Sequence, residues 1–357
     1  MKAHVFAIAQ LPPPVSGLSA VSGRMVEILD SAGLLVGRAN IAPPPQTRGV
    51  AKAVARAMRC LGAGVALVRA RRSGADTLYM SCDGGIGLAF NVLLATLARA
   101  LGLSVWLHHH SFAYISRRSI LMALLIVLGP VRTTHIVLCP DMLSDLASRY
   151  AKPWRRRDAQ GWVLSNAFMV DQGAERRTAG QSRVLGHLSN LTVEKGALTF
   201  IALFGRLRDA GQPVRALIAG PVEDRQVALA IQQASAVYPG EFEWLGPVYG
   251  PAKAAFFASI DVFVFPSRYA NEAQPLVLLE ALAAGVPIVS TDRGCIGCDL
   301  SQAPGVVVHE EQFEEAAFQW CAALPAGAAG RSQDALRAFQ LLRGASDNSL
   351  ARLIETI

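Results

Sequence analysis

The chain alternates short apolar runs of strand length with longer stretches of helical character such as FNVLLATLARALG (90–102). The first half contains five runs that predict strands: HVFAIA (4–9), TLYMSC (77–82), SVWLHH (104–109), HIVLC (135–139) and WVLSN (162–166). The second half contains six: RVLGHL (183–188), RALIAG (215–220), FEWLG (242–246), DVFVF (261–265), PIVS (287–290) and VVVH (306–309). This order predicts parallel sheets covered by helices, which is an α/β fold class.

The two series are separated by residues 171–182, DQGAERRTAGQS, where all apolar periodicity is lost. A polar linker between two α/β series predicts two Rossmann-like domains that face each other across a cleft. We therefore expect a first domain at residues 1–175 and a second at 176–357, with the last helix able to pack back on the first. A length of 357 residues agrees with two domains of ordinary size.

Composition narrows the class of protein. An apolar fraction of 52% with only 17% charged residues predicts sizeable cores and excludes disorder for most of the chain. The net charge of +7 does not indicate nucleic acid, because the basic residues come in scattered groups without aromatic interleaving. Phosphate-bearing ligands or an anionic membrane surface explain this charge equally well.

The cysteines and the amino terminus predict a cytoplasmic protein. Six cysteines scattered through a large chain are typical of a reducing compartment. Cys295 and Cys298 have the spacing of a metal or redox pair, but no second pair accompanies them, so we interpret them as ordinary thiols. The first apolar run is too short for a signal peptide and predicts a strand.

Two glutamates stand out in YANEAQPLVLLEALAAG (269–285), which lies between two predicted strands. Pro275 suits a helix start, and Gly285 followed by Pro287 suits a helix stop. Ligands of open α/β sheets gather at the carboxyl ends of the strands. Glu272 is therefore expected in a loop at that edge and Glu280 in the following helix, both within reach of one ligand.

This segment resembles the donor-site signature of the retaining family 4 glycosyltransferases, which have the GT-B fold. The signature is a Glu, seven residues and a second Glu, after a Pro-Ser, as in FVFPSRYANEAQPLVLLEALAAG. Other marks follow in the family's order across most of residues 5–310: PPPVSGLSAV, LHHHSF, LSNLTVEKG, LIAGPVED and FEWLGPV.

The resemblance implies roles for residues of the second domain. Glu280 would accept the ribose hydroxyls of a nucleotide, and Glu272 would lie beside the donor sugar, where its charge favours developing positive charge. Backbone amides around Gln274 and Leu276 would hold sugar and phosphate oxygens. The alternative, that Glu272 only favours a helix amino terminus, leaves Glu280 unexplained.

The diphosphate would be bound by Lys195 and by the amides of the helix that it opens. Many relatives carry Arg where this chain has Asn190, so one fixed positive charge is missing. Gly220 and Val248 would border the nucleotide base.

The first domain would contribute His110, with His109 next to it, to the transferred sugar. Ser16 and Gly17 would lie in the loop that approaches the diphosphate. The alternatives are a structural histidine at a strand end and a glycine that only forms a turn.

The predicted function is transfer of a hexose from a nucleotide-diphosphate sugar to a glycan or polyprenyl-linked acceptor, with retention, in surface or exopolysaccharide biosynthesis. The alternatives are an epimerase or phosphorylase of the same fold, or a non-catalytic sugar-nucleotide-binding homologue. No Asp-x-Asp pair occurs in the sequence, so we expect neither a divalent metal nor another cofactor. Nucleic acid is not an expected partner.

A membrane contact is the last candidate. Arg117 and Arg118 precede the apolar run 119–131, which is too short to span a bilayer, and Arg132 follows it. Such a helix either lies on an anionic leaflet or packs in the core between solvated arginines. Because the run is apolar nearly all round, the sequence favours the core.

Overall fold

The computed structural model describes residues 4–14, 16–171, 183–324 and 332–356. It divides into two compact units, Met1–Met169 with Ser346–Ile357, and Val170–Ala345. The predicted boundary at residue 175 and all but the first residue of the predicted linker 171–182 lie outside the described residues.

The first unit is built on one sheet of six parallel strands. They are β1 (Val5–Ala9), β2 (Leu35–Asn40), β3 (Thr77–Cys82), β4 (Ser104–His109), β5 (Thr134–Val137) and β6 (Gln160–Val163). Their order across the sheet is β2-β1-β3-β4-β5-β6. Since β1 and β3 are buried along their whole length, they read as continuous apolar runs, as inner parallel strands do.

The helices of this unit connect successive strands. They are α1 (Gly17–Ser31), α2 (Gly49–Arg72), α3 (Leu88–Ala100), α4 (Ala113–Ser116), α5 (Ile120–Leu128), α6 (Pro140–Arg149) and α7 (Ala151–Arg156). Helix α3 packs against α2 on one side and against α5 on the other. These three helices therefore form a continuous layer on one face of the sheet.

All five strands predicted in the first half are present, but β2 was missed. Its sequence LVGRAN alternates half-buried and exposed positions, as an edge strand does, and so lacks an apolar run. Gly37 is needed there because a Cβ at this position would lie 2.9 Å from the Phe6 ring. The strand predicted at 162–166 begins earlier, at Gln160, and gives way to a short 3-10 helix at Asn166–Met169.

The second unit has its own sheet of six parallel strands, all of them predicted. They are β7 (Arg183–Leu188), β8 (Val214–Ala219), β9 (Phe242–Trp244), β10 (Val262–Phe265), β11 (Ile288–Thr291) and β12 (Gly305–Val308). Their order is β12-β11-β10-β7-β8-β9. Strand β7 is central because the chain returns to both of its sides, which creates a switch point at its carboxyl end.

Helices again connect the strands of the second unit. They are α8 (Ala197–Asp209), α9 (Arg225–Val237), α10 (Gly250–Ser259), α11 (Leu276–Ala283), α12 (Ile296–Leu300), α13 (Phe313–Ala323) and α14 (Gln333–Glu355). Helix α14 begins in the second unit, and its residues from Ser346 onward belong to the first. There Trp162 Nε1 donates a hydrogen bond of 2.9 Å to Ser349 Oγ.

Aromatic side chains fill the core of the second unit. Phe200 and Phe204 of α8 pack with Phe242 and Phe313 in one buried cluster. Burial of each such ring contributes roughly 2–3 kcal/mol. The buried Arg183 guanidinium donates to the carbonyl oxygens of Cys321 and Leu324 and to Gln212, so its charge is held by hydrogen bonds.

Helix α5 differs from the fully buried core helix that its composition favoured. Met122, Leu125 and Ile126 are buried, whereas Ile120 is 79% and Val127 42% exposed. One face of α5 therefore packs against the rest of the first unit, and the other face is exposed to solvent. Among the described residues no helix combines the length and the apolar character needed to cross a bilayer.

Three histidines of the neighbouring strands β4 and β5 lie close together in the core of the first unit. His109 Nε2 shares a hydrogen bond of 2.9 Å with His135 Nδ1, and His109 Nδ1 shares one of 2.8 Å with the Tyr114 hydroxyl. His108 Nδ1 shares a hydrogen bond of 2.9 Å with the Tyr79 hydroxyl. All three rings are fully buried, so burial lowers their pKa values and the rings are neutral.

These histidines make the stability of the first unit depend on pH. Burial lowers the pKa of His135 to about 3, whereas a histidine in the unfolded chain has a pKa of about 6.5. Between these values the unfolded chain binds protons that the folded unit cannot, so stability falls as pH falls.

We therefore expect unfolding free energy to drop with decreasing pH below about 6.5, by up to ~1.4 kcal/mol per pH unit for each such histidine. The variant His135→Phe should show a shallower slope, because one titrating group is gone, whatever its stability at pH 8. Urea unfolding at several pH values measures both slopes. Identical slopes in the parent and the variant would show that His135 is not held neutral by the fold.

Candidate functional site

The candidate site lies at the carboxyl edge of the second sheet. Because all strands are parallel, the loops after β7, β8, β9, β10 and β11 emerge at this edge. They bring in residues 189–196, 220–224, 245–249, 266–275 and 292–295. Each of these loops leads into a helix, so helix amino termini also gather there.

Lys195 and Glu272 are in direct contact at this edge. Lys195 Nζ lies 2.6 Å from Glu272 Oε2, although the two residues are far apart in sequence. Ser267 Oγ donates a second hydrogen bond of 2.9 Å to the same carboxylate oxygen. The Lys195 ammonium also lies 4.6 Å from the centroid of the Tyr269 ring. The side chains are 20% and 9% exposed, so the ion pair is largely shielded from water.

A glycine holds the two loops of this ion pair close together. Gly196 has a positive φ of 84° and is the residue before α8. A Cβ built on Gly196 would lie 2.3 Å from the carbonyl oxygen of Pro266, which immediately precedes Ser267. The loops are further joined by a hydrogen bond of 2.7 Å from Arg268 N to Glu194 O. Any side chain at position 196 would push the two loops apart.

Glu280, on α11, is paired with a second lysine. Lys253 of α10 donates a hydrogen bond to Glu280 Oε1. Glu280 Oε2 is buried and accepts no hydrogen bond within the described ranges. This oxygen therefore has an acceptor position that no described residue uses. Lys253 could not be identified from the sequence, because it lies on a helix outside the motif.

Gln274 is held by a buried aspartate. Gln274 Nε2 donates a hydrogen bond of 2.8 Å to Asp299 Oδ2, and both side chains are buried. Burial raises the pKa of Asp299 to about 7, against the opposing effect of this hydrogen bond. The loop is fixed further by a hydrogen bond of 2.7 Å from Cys295 N to Ala273 O. Leu276 follows as the first residue of α11.

Position 190, where the resemblance leads us to look for an arginine, carries a neutral side chain. Asn190 Nδ2 donates a hydrogen bond of 2.9 Å to Glu223 Oε1 at the exposed end of β7. Gly220, in the next loop, has a φ of 128°, and a Cβ built on it would lie 1.8 Å from the carbonyl oxygen of Ser189, so only glycine fits there. Val248 lies half-buried in the loop before α10. All three residues belong to loops of the same edge.

The first unit places its predicted residues at the carboxyl edge of its own sheet. Ser16 caps α1, since its hydroxyl accepts from Ser19 N, and Gly17 is the exposed first residue of that helix. His110 follows β4 directly, and its Nε2 has no partner among the described residues. Burial lowers the pKa of His110 to about 3, so the ring is neutral. His109 points into the core, where both of its ring nitrogens are engaged.

Sequence reasoning missed a polar cluster beside these residues. Asp83 follows β3 and accepts hydrogen bonds from Gln10 Nε2, at 2.6 Å, and from Arg56 of α2. Asn91 Oδ1 accepts from Asp83 N at 3.0 Å. The available signal was the DGG turn directly after an apolar strand, which places a carboxylate at the functional edge of the sheet.

The carboxyl edge of the second sheet has chemical groups that can bind a phosphorylated sugar. It offers an ammonium group, a helix amino terminus, and two carboxylates that accept hydroxyl protons. Within the described ranges, no group of three or more His, Cys, Asp or Glu side chains is placed to hold a metal ion. The six cysteines are all thiols, including Cys295 and Cys298.

Comparison with known proteins agrees with this geometry. Residues 182–324 match the family model described as "Glycosyl transferases group 1". They include the strands, loops and helices that carry Lys195, Glu272 and Glu280. No curated protein matches the chain in sequence.

Solved structures resemble the chain over its whole length. The sucrose-phosphate synthase of Thermosynechococcus elongatus superposes with a TM-score of 0.73 at 14% identity, covering 99% of this chain and 98% of that one. The lipopolysaccharide outer core galactosyltransferase WaaB gives 0.68 at 12% identity, covering 99% of both chains. Anabaena HepE in complex with UDP gives 0.68 at 14% identity, covering 100% of both. The chain therefore has the GT-B fold, and residues 182–324 of its second unit match the glycosyl transferases group 1 model.

Proposed function

We propose that the chain uses its glycosyltransferase group 1 domain to transfer a hexose from a nucleotide-diphosphate sugar to a glycan or polyprenyl-linked acceptor. We further propose retention of the anomeric configuration, as in family 4. The observation that carries the proposal is the Lys195–Glu272 contact of 2.6 Å at the carboxyl edge of the second sheet. This contact lies within the residues that match the family model. It brings together a cation that can bind a diphosphate and a carboxylate that can stabilise positive charge on a sugar.

The reaction separates charge, and the ion pair supplies one group for each side. Breaking the bond between sugar and diphosphate leaves negative charge on the phosphate oxygens and positive charge on the sugar ring. The Lys195 ammonium stabilises the first and the Glu272 carboxylate the second. Since both groups are largely shielded from water, their interactions with these charges are stronger than at the surface.

The remaining residues of the edge fit a nucleotide. The second oxygen of Glu280 accepts a ribose hydroxyl, and Lys253 keeps the carboxylate in place. Gly220 and Val248 border the base, and the amides near Gln274 and Leu276 bind oxygens of the sugar and the phosphates. A complex of HepE with UDP-glucose is among the similar structures, at a TM-score of 0.61, which supports a nucleotide sugar as the donor.

In the first unit we propose that His110 contacts the transferred sugar through its unpartnered Nε2. A neutral imidazole exchanges hydrogen bonds with sugar hydroxyls without adding charge to the site. His109 serves as a positioning residue behind it, since its own nitrogens are engaged. The backbone at Ser16 and Gly17 approaches the diphosphate.

We place the reaction in the cytoplasm, in surface or exopolysaccharide biosynthesis, and without a divalent metal. A polyprenyl-linked acceptor brings the chain to a membrane, and segment 117–132 is the part proposed for that contact. A screen of nucleotide sugars tests the function as a whole. Product that forms only when an acceptor is supplied supports transfer, whereas product without an acceptor indicates another nucleotide-sugar enzyme, such as an epimerase.

Replacement of either partner of the ion pair should slow the reaction by roughly 10²-fold or more, because a group that stabilises transition-state charge is lost. Glu272→Gln keeps the size of the side chain and an acceptor for Ser267, and Lys195→Met keeps the length. Steady-state kinetics measures both rates. The matched control is Glu315→Gln, which breaks an exposed ion pair with Arg206 of the same 2.6 Å length. Turnover of Glu272→Gln near that of the control would contradict the assignment.

Treatment with EDTA should leave the transfer rate largely unchanged, since Lys195 and helix amides are proposed to bind the diphosphate. The rate is measured before and after chelation and again after added magnesium. A loss of activity that magnesium restores would show that a divalent ion takes part and would overturn the metal-free proposal.

Glu280→Gln should weaken nucleotide binding, because a ribose hydroxyl loses a charged acceptor. UDP, ADP and GDP are each tested by thermal shift, as a ligand at about 100 times its Kd stabilises the fold by ~2.7 kcal/mol. We expect Kd to rise roughly 10-fold or more for the nucleotide that binds. Glu243→Gln, an exposed glutamate of β9, is the control. An equal Kd in both variants would remove Glu280 from the nucleotide site.

A further inference from the structure

Helix α2 carries a row of large apolar side chains that face solvent. Val50, Val54, Met58, Leu61 and Val65 are between 53% and 80% exposed. Their spacing of four, four, three and four residues places them on one helix face about 80° wide. The row therefore runs along nearly the whole outer side of the helix.

The orientation of α2 is fixed by packing on its opposite side. Cys60, Ala63 and Leu67 are the buried residues of this helix, and they lie on the far side from the apolar row. Arg56 further ties α2 to Asp83 at the end of β3. Because Cys60, Ala63 and Leu67 are buried against the rest of the unit, the apolar row on the opposite side of α2 faces outward.

The row continues across the two neighbouring helices. Helix α3 lies between α2 and α5 and exposes Leu93, and α5 exposes Ile120, Leu124 and Val127. In the described part of the first unit, every exposed large apolar side chain except Val36 and Ile86 belongs to these helices or to Val131 just after α5. We call this surface of α2, α3 and α5 the apolar face.

The segment of the chain that forms the apolar face is strongly basic. Residues 31–140 contain twelve lysines and arginines against two aspartates, a formal net charge of +10, whereas the rest of the chain has −3. Both aspartates are engaged within the unit, Asp76 by His4 N and Asp83 by Arg56 and Gln10. No acidic side chain within 31–140 is left to offset the exposed cations.

Six exposed cations lie at the two ends of α2 and just before α5. Arg69 and Arg72, in the last turn of α2, lie close to the side of the apolar row, whereas Arg48 and Lys52 lie at the amino-terminal end of the helix, with Lys52 on the opposite side. Arg117 and Arg118 precede α5. None of these six forms an ion pair with any described residue.

We infer that the apolar face binds the surface of an anionic lipid bilayer. A helix that combines an apolar side with lysines and arginines lies in the interface of such a membrane, with its apolar side chains among the acyl chains. The surrounding cations are attracted to anionic headgroups. A second copy of the chain fits poorly, because it would bring two surfaces of the same strong positive charge together.

This surface is separate from the donor site and goes beyond the contact proposed for residues 117–132. Helices α2, α3 and α5 each follow the carboxyl end of a strand, at β2, β3 and β4. Their first turns therefore lie at the edge that carries His110 and Asp83. Membrane binding would hold this edge close to the headgroups, where a lipid-linked acceptor presents its sugar.

Sedimentation with vesicles of phosphatidylglycerol and phosphatidylcholine tests the inference without using the transfer reaction. We expect binding at low salt that weakens at high salt and is absent with pure phosphatidylcholine. Replacing Arg48, Arg69 and Arg72 by serine should weaken binding by roughly 10²-fold, since each cation near the surface contributes about fivefold. Replacing Val54, Met58 and Leu61 by serine should also reduce binding at least tenfold.

The control for the apolar variant is Leu229→Ser with Val237→Ser, two exposed apolar residues of α9 in the second unit. Circular dichroism establishes that each variant is folded. Vesicle binding that is equal in the control and the α2 variants would overturn the inference. So would binding of polyglutamate without vesicle binding, which would assign the face to an acidic protein, or a dimer that the α2 substitutions dissociate.

Discussion

Parallel strand pairing is the constraint on which the rest of this molecule depends. In both sheets every strand runs in the same direction, so every connection must return along a helix and every strand end opens at one edge. The consequence is chemical as well as topological. Lys195 and Glu272 are 77 positions apart in the chain, yet they meet at 2.6 Å because β7 and β10 are neighbours in the sheet.

The sequence predicted most of the fold because parallel inner strands are buried on both sides and appear as apolar runs. Eleven of the twelve strands were found in this way, and the exception, β2, is an edge strand whose side chains are half exposed. The two-sided character of α5 was not predictable from composition. Every residue of ILMALLIVL is apolar, so only the neighbours in the fold decide which side is covered.

The residues of the candidate site also fall into those that the sequence predicts and those that only the fold brings together. Glu272, Glu280 and Lys195 belong to motifs with fixed spacing and could be named from the sequence. The partners of Glu280, Gln274 and Asn190 could not be named, because Lys253, Asp299 and Glu223 reach the site from other elements and such contacts leave no local pattern in the sequence. His109 and His110 are adjacent in sequence and face opposite sides of the sheet, but only His109 lies within β4, whereas His110 follows the end of the strand.

The contact between Gly196 and Pro266 has a consequence for ligand binding. Because the two loops touch through backbone atoms with no room for a side chain, the positions of the ammonium and carboxylate groups are set when the unit folds. A ligand arriving at this edge meets dipoles and charges that are already oriented, so little reorganisation accompanies its binding. Preorganisation of this site is thus encoded by the smallest residue of the motif, which itself contributes no functional group.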